Sequence, residues 1–322
     1  VDARPDPARI LVLTTDPAIE RAVGEAVGGS GTLVRPMSRT ASAVRDLLPG
    51  VDVVVADWSG QLPLGAAEAA LGRHLRLIQQ PGVGIAYIDV DAWTEAGVPV
   101  ANTPGGNAAS VAEWAVAAAA NLCRSIAWAD AEMRRGRWPQ TSVRQRDCRD
   151  LGDRRIGLVG FGDINRRCAE LFTAFGCEVA YHSRRPHPDA PVPHLPLDDL
   201  LAVSDVVVVA VPLTADTRGL ISARELELLP REALVVNVAR GPVVDETALA
   251  DAIRSGTVAG AALDVFAREP VETDSPLFDL DNVLLSPHIA GGSSTALARM
   301  YAMTAENVAR VCRGDDPLWT IG

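Results

Sequence analysis

Aromatic residues make up only 4% of this 322-residue chain, so its cores must be built from alanine, valine and leucine. That composition suits helices packed on parallel strands. Cysteine is scarce as well: the five, Cys123, Cys148, Cys168, Cys177 and Cys312, are odd in number and widely spaced. No pair has metal-ligand spacing, and a chain of this length needs no disulfide frame, so free thiols in a reducing cytosol and no metal site are expected. Positive charge is in deficit. A formal net charge of -11 and a pI near 5.0 argue against a nucleic-acid partner, because such partners demand concentrated positive charge. Long apolar runs are missing too: the most apolar stretch, "SVAEWAVAAAANLC", is too short to span a bilayer and carries Glu113. With no charged segment leading into an apolar core at the start, the expectation is a cytoplasmic protein with no membrane partner.

What is present is length for two domains, at 33.9 kDa with 48% hydrophobic residues. Short Val/Ile/Leu runs recur at 9–13, 51–57, 75–80 and 98–103, then again at 155–160, 178–183, 205–212, 233–239, 260–266 and 282–288. Helical segments stand between them, which predicts an α/β protein with two doubly wound parallel-sheet domains. A long helix is expected from Ala108 to about Arg135, and the polar stretch after it, "RRGRWPQTSVRQRDCRDLGD", reads as a surface excursion. Near the end, Leu297, Met300, Tyr301, Thr304, Val308 and Val311 recur at helical spacing and predict a helix that returns to the first domain.

The stretch "RIGLVGFGDIN" begins as a phosphate-binding turn, with Gly160 for the tight turn and Gly162 for close backbone approach. The third glycine of that pattern is absent, and Asn165 stands in its place. Its role is helix packing, so the expected cost is a slightly displaced helix. Downstream, Cys168, Leu171, Phe172 and Phe175 at helical spacing, ending on Gly176, supply the helix that such a turn requires. The acid that holds the ribose hydroxyls of NAD is also absent: "YHSRR" places Ser183 there, followed by Arg184 and Arg185. A small hydroxyl beside two guanidinium groups favours a ribose phosphate, hence NADP, with NAD as the lesser alternative. Two solvated surface arginines are the competing reading.

Three segments follow at strand ends: "NVARGPVVDETALADAIRSG", "ALDVFAREP" and "LLSPHIAGG". They present one guanidinium, Arg240, one carboxylate, Glu269, and one imidazole, His288. Ligands of open parallel sheets sit outside the carboxyl ends of the strands, so these groups are expected to form a site for an anionic carbonyl compound. With "PGVGIAYIDVDAWTEAGVPVANTPGGNAASVAEWA", "VGFGDI", "VPLTADTRGLI", "GAALDVFAREP" and "SPHIAG", the chain resembles the D-isomer-specific 2-hydroxyacid dehydrogenases, from about Gln79 to about Val311. The resemblance is to the glyoxylate/hydroxypyruvate reductase branch that uses NADP.

The resemblance implies a Rossmann nucleotide-binding domain, 104–287, inserted in a flavodoxin-like substrate domain, 1–103 plus 288–322, and a homodimer joined through the nucleotide-binding domains. It implies reduction of a small 2-keto acid to the D-2-hydroxy acid by NADPH. Arg240 would clamp the substrate carboxylate together with the backbone amides of Val83 and Gly84. His288 would protonate the ketone oxygen as general acid and act as base in reverse. Glu269, paired with it, would favour the imidazolium. Asp264 would bond the nicotinamide carboxamide, and orientation of that kind supplies much of the rate. Further cofactor contacts are implied for Asp163, Ile164, Pro212, Thr217, Val238, Ala239 and Gly291, and a substrate contact for Trp58, beside Ser59.

Other histidines, His74, His182, His187 and His194, read as structural, with a contact to the adenine ribose open for His182. Arg35, Arg39 and Arg124 are candidates for a second anionic group on the substrate, against the simpler reading of surface arginines. The family often has an Asp-Asn pair where Ala86 and Tyr87 stand. Glu269 argues against formate dehydrogenase, which puts glutamine before its histidine. A cofactor-sensing binding protein of the corepressor type, with little turnover, is the alternative from another class.

Overall fold

The structure is a computed structural model that describes residues 6–321, and these divide into two compact units. The first takes the described residues up to Asn107 together with those from Ser294 onward; the second is Ala108–Ser293. The expected junctions lie a few residues earlier, and the difference matters at one place, because His288 belongs to the second unit rather than the first.

The first unit opens with β1 (Ala8–Val12), α1 (Pro17–Val27), β2 (Gly31–Val34), α2 (Ala41–Leu47), β3 (Val53–Val55), α3 (Ala66–Leu71), β4 (Leu77–Gln79), α4 (Val90–Glu95) and β5 (Val100–Ala101). In the second follow α5 (Ala108–Arg124), α6 (Ile126–Arg134), α7 (Gln140–Arg144), β6 (Arg155–Val159), α8 (Asp163–Ala174), β7 (Glu178–His182), α9 (Leu197–Val203) and β8 (Val206–Val209). It continues with α10 (Ala223–Leu228), β9 (Leu234–Asn237), α11 (Glu246–Arg254), β10 (Gly260–Leu263) and β11 (Val283–Leu285). The chain then re-enters the first unit as α12 (Ser294–Arg313) and β12 (Thr320–Ile321).

The first sheet runs β12-β5-β4-β3-β1-β2, parallel except for β12, which pairs antiparallel with β5. Neither β2 nor β12 stands out in the sequence: one is a half-exposed edge strand, the other two residues long. Asp16 caps α1 by accepting from the Ala18 amide, and α12 buries Met300, Thr304 and Val308 in this unit. Asn307 bonds Gln79 Oε1 at 2.6 Å and both backbone groups of Leu318, tying helix and tail to β4.

The second sheet runs β11-β10-β9-β8-β6-β7, all parallel. His194 adds a parallel bridge to Tyr181 beyond β7, a rudimentary third strand. Counted with it, the order is that of a dinucleotide fold, with the winding reversed between β6 and β8. Every residue of β8 is fully buried, as strands covered on both faces must be. Each such valine contributes about 1.5–3 kcal/mol of burial, which makes the centre of the sheet a rigid platform for its loops.

The single long helix expected from Ala108 to about Arg135 is two helices. Ser125 between them takes φ 49, in the left-handed region, so the α5 ladder stops there. The Asn121 side chain accepts from the Ala127 amide across the break, and the Cys123 carbonyl accepts from the Arg149 amide. The polar excursion that follows contains the short α7.

Candidate active site

The turn glycine, the ribose-end serine and the catalytic candidates of the second unit follow carboxyl ends of its strands. Gly160 follows β6, Ser183 follows β7, Arg240 lies just beyond β9, Asp264 and Glu269 beyond β10, and His288 beyond β11. Since β9, β10 and β11 are adjacent and parallel, with Leu263 paired to both Asn237 and Leu285, the last four side chains start from one edge of the sheet.

Gly160 adopts φ +88, and a Cβ there would stand 2.5 Å from the Ala210 carbonyl oxygen, so only glycine fits this turn at the switch point. Asn165, fully buried, donates through Nδ2 to the carbonyls of Val159 at 3.0 Å and Gly160 at 2.8 Å. The residue that breaks the glycine pattern, expected to cost a slightly displaced helix, braces the turn through its side chain. The turn opens α8, whose first amides have no partner within the helix and whose dipole favours an anion. Asp163 and Ile164 begin that helix; the Asp163 carboxylate has the wrong sign for a pyrophosphate, leaving the backbone as what they offer.

Beside this turn is a cleft of about 760 Å3 lined by Gly160, Gly162, Ser183, Arg184, Arg185, Pro212 and Thr217, among others. Its size suits a nucleotide. Arg184 and Arg185 are exposed on its wall, and Ser183 Oγ donates to the Arg185 carbonyl at 2.6 Å, which sets the turn that carries them. Thr217 Oγ1 bonds the Pro212 carbonyl and shapes the opposite wall. Asp163, Ile164, Val238, Ala239, Asp264 and Gly291 are not on this wall. His182 lines it, but its Nδ1 is 3.0 Å from the Leu195 carbonyl; His187 and His194 pack with Tyr181, and His74 bonds the Val51 carbonyl.

His288 Nδ1 lies 2.7 Å from Glu269 Oε2. A carboxylate only accepts, so Nδ1 carries hydrogen and Nε2 is the nitrogen left for chemistry. The other Glu269 oxygen accepts from the Phe266 amide at 3.0 Å, which sets the carboxylate's orientation. His288 itself takes φ 56, an uncommon conformation outside glycine that marks a backbone held in place by its surroundings. Asp264, 2% exposed, is what holds it: its carboxylate accepts from the amides of Ile289 at 2.8 Å and Ala290 at 2.9 Å and from the Ser286 hydroxyl, while its carbonyl accepts from the His288 amide. A cavity of about 540 Å3 adjoins the pair, walled by Phe266, Val271, Phe278 and Leu285.

Arg240 is half-buried, with Nη1 anchored on the Ala239 carbonyl at 2.6 Å. Buried Asn237 sets its backbone, donating to the Arg240 carbonyl and accepting from the Ala239 amide. At Gly241 a Cβ would overlap the Phe266 carbonyl carbon at 1.8 Å, so the arginine's segment lies directly on the loop that leads to Glu269. Asn237, Ser286 and Gly241 were not singled out from sequence; Asn237, a polar residue ending an otherwise apolar strand, carried the one available signal.

In the first unit, the carbonyls of Gly82, Val83 and Gly84 accept from the Thr103 amide, Asn102 Nδ2 and Gln80 Nε2, which spends the oxygens of this loop on the fold and not its amides. Half-buried Trp58 packs on Tyr301, with ring centroids 6.1 Å apart, and the Tyr87 ring lies over Gly60. The arginines considered for a second anion have partners here. Arg35 pairs with Glu20, and Arg39 binds buried Asp57 at 2.8 Å and the Leu13 carbonyl. In the second unit Arg124 lies 3.3 Å from Asp150. Nearby carboxylates thus account for all three. Among the described residues no helix is long and apolar enough to cross a membrane, and no cluster of His, Cys, Asp or Glu is placed to hold a metal ion.

Sheet order, switch-point turn and cleft define a dinucleotide-binding α/β protein with an acid-base pair on the carboxyl edge of its sheet. Residues 116–290 match the family model described as D-isomer specific 2-hydroxyacid dehydrogenase, NAD binding domain. The chain is 36% identical over 265 residues to the hydroxypyruvate reductase of Thermotoga maritima, covering 81% of this chain and 85% of that protein. It is 36% identical over 288 residues to a glyoxylate reductase of Aeropyrum pernix, covering 87% and 82%. Among solved structures, the TT0316 protein from Thermus thermophilus matches with TM-score 0.85 and 30% identity, covering 98% of this chain and 100% of that one. D-mandelate dehydrogenase of Rhodotorula graminis, at 23% identity, TM-score 0.90 and 98% coverage of each chain, shares the fold. The chain belongs to the D-isomer-specific 2-hydroxyacid dehydrogenase family.

Proposed function

We propose that the protein reduces a small 2-keto acid to the D-2-hydroxy acid, with NADPH preferred over NADH. The observation that carries the chemistry is the 2.7 Å contact between His288 Nδ1 and Glu269 Oε2 at the edge of the sheet that holds the glycine turn. A bound reduced nicotinamide supplies the hydride. The protein's own groups do the rest. Arg240, fixed through Nη1, presents the remainder of its fork to the substrate carboxylate. The imidazolium of His288 gives the Nε2 proton to the ketone oxygen as C2 gains hydride, leaving a neutral imidazole whose Nδ1–H stays on Glu269. In reverse, Nε2 takes the hydroxyl proton. Asp264 keeps the loop, and thus Nε2, in register.

The preference for NADPH rests on Arg184 and Arg185, exposed on the cleft wall with no ionic partner among the described residues. Ser183 leaves them unopposed where a carboxylate would repel a phosphate. Assembly as a homodimer through the second unit is supported by Ile126, Met133 and Trp138, exposed by 55%, 47% and 76% around α6, where apolar side chains gain from a cover.

A panel of keto acids, from glyoxylate and hydroxypyruvate to branched and aromatic ones, assayed with each cofactor and compared as kcat/KM, tests the reading. Oxidation of NADPH by at least one of them, faster than of NADH, is expected. No oxidation with any would refute the enzyme, and preference for NADH would refute the phosphate site.

A further inference from the structure

A third cavity, of about 270 Å3, opens at the other edge of the second sheet. Its wall includes Leu234 and Val283, the first residues of β9 and β11, and Arg154, immediately before β6. It is therefore separated by the length of the strands from Gly160, Arg240 and His288, which follow the opposite ends. Arg154 is only 5% exposed, and its Nε and Nη1 are buried with no hydrogen-bond partner. A guanidinium is always charged, and one buried without acceptors is costly unless something supplies them.

The neighbours supply little. Cys123 lines the same cavity and has a side-chain hydrogen bond with Arg154; burial raises its thiol against that bond and the Arg154 charge, so it stays a neutral, weak acceptor and leaves Nε and Nη1 without one. Asp205 feels Arg154 but is committed to Arg155 through the backbone amide and both ends of the side chain. The acids on the rim are also taken: Asp281 faces Arg146 at 3.4 Å, and Asp147 and Glu232 share Arg149. Arg231, exposed on the rim, has no ionic partner among the described residues. Two guanidinium groups of the lining are thus left over, Arg154 buried and Arg231 exposed, beside Leu122, Leu284 and Trp128, whose ring carries the Arg146 guanidinium on one face at 4.4 Å.

We infer that this cavity is a binding site for a small organic carboxylate, whose carboxylate meets Arg154 and whose short apolar body lies against Trp128. The guanidinium edge matches a carboxylate with two parallel bonds. The volume, about nine water volumes, excludes a nucleotide, and Leu122 and Leu284 offer a short hydrocarbon body a surface that inorganic phosphate cannot use.

The test uses the full chain carrying Arg240→Met and saturated with NADPH, so that the catalytic guanidinium does not compete. It is titrated calorimetrically with butyrate, inorganic phosphate and butanol at constant ionic strength. Butyrate is expected to bind saturably, one per chain, ahead of the other two. Adding Arg154→Met should weaken it by about tenfold or more, the loss expected for charge-assisted bonds. Arg231→Met, an exposed change that tests the site even where Arg154→Met does not fold, should weaken it by a smaller factor. Ala127→Trp, which places a ring at the wall without altering charge, should also reduce binding. Butyrate binding that vanishes with Arg240→Met alone, or that none of the three changes affects, overturns the inference, as does tighter binding of phosphate. So does failure of butyrate to bind while Arg154→Met converts a dimer to monomer in sedimentation, because a second copy's acid would then be the partner of Arg154.

Discussion

Replacing Asp264 with asparagine removes one charge and one acceptor from a group that is 2% exposed, and leaves the shape unchanged. The carboxylate now serves the amides of Ile289 and Ala290 and the Ser286 hydroxyl. Asparagine keeps one oxygen and turns an NH2 toward an N–H, so at least one charge-assisted bond is lost and the others become neutral. At about 1.5–3 kcal/mol for a bond to a charged group, the loss is about 3 kcal/mol. That corresponds to a fall of roughly 5 °C in Tm for a protein of this size. The bond from the His288 amide to the main-chain carbonyl survives, so the loop loosens without detaching. A displacement of Nε2 by even about 1 Å is worth about a hundredfold in rate. Steady-state kinetics should therefore show kcat lowered by about 10- to 100-fold, with KM for the keto acid changed much less, and scanning calorimetry should show the lower Tm. A variant with kcat within about twofold of the parent and an unchanged Tm would refute the claim that this carboxylate positions the histidine.

Gly241→Ala places a methyl group 1.8 Å from the Phe266 carbonyl carbon, a backbone clash that no rotamer relieves. It should destabilise by about 3 kcal/mol or more, seen as a lower denaturation midpoint in urea, and lower activity with it. Ser183→Asp should shift the ratio of kcat/KM for NADPH over NADH toward NADH by about tenfold or more, and Arg184→Ala should weaken NADPH while sparing NADH. Among the thiols, burial pushes Cys168 up to about 12 and Cys177 up to about 11. In mildly alkaline buffer iodoacetamide should leave both unmodified in the native protein and label them on unfolding, with half-buried Cys148 modified first, as peptide mass mapping will show.

The layer architecture was legible because strands such as β8 are continuous valine runs and the segments between them keep helical spacing. The break at Ser125 was not, since it comes with a bond from the Arg149 amide to the Cys123 carbonyl that only the folded chain brings together. The same division holds in the site. Arg240, Glu269 and His288 could be read from motif order, and their start from one sheet edge follows from topology. What Asp264 grips, why Gly241 is glycine and how Asn165 braces the turn depend on which backbone lies opposite, and no local pattern encodes that. Arg39 shows the converse: its sequence context left it free for a ligand, while the fold sets Asp57 beside it.

The most direct measurement is the single-turnover rate of NADPH oxidation by His288→Ala with the best keto acid from the panel, alongside the cofactor's Kd. Loss of the general acid should lower the rate by about 10²- to 10⁴-fold while NADPH binds as before. A rate within about tenfold of the parent, at equal cofactor affinity, would contradict the assignment of proton transfer to His288.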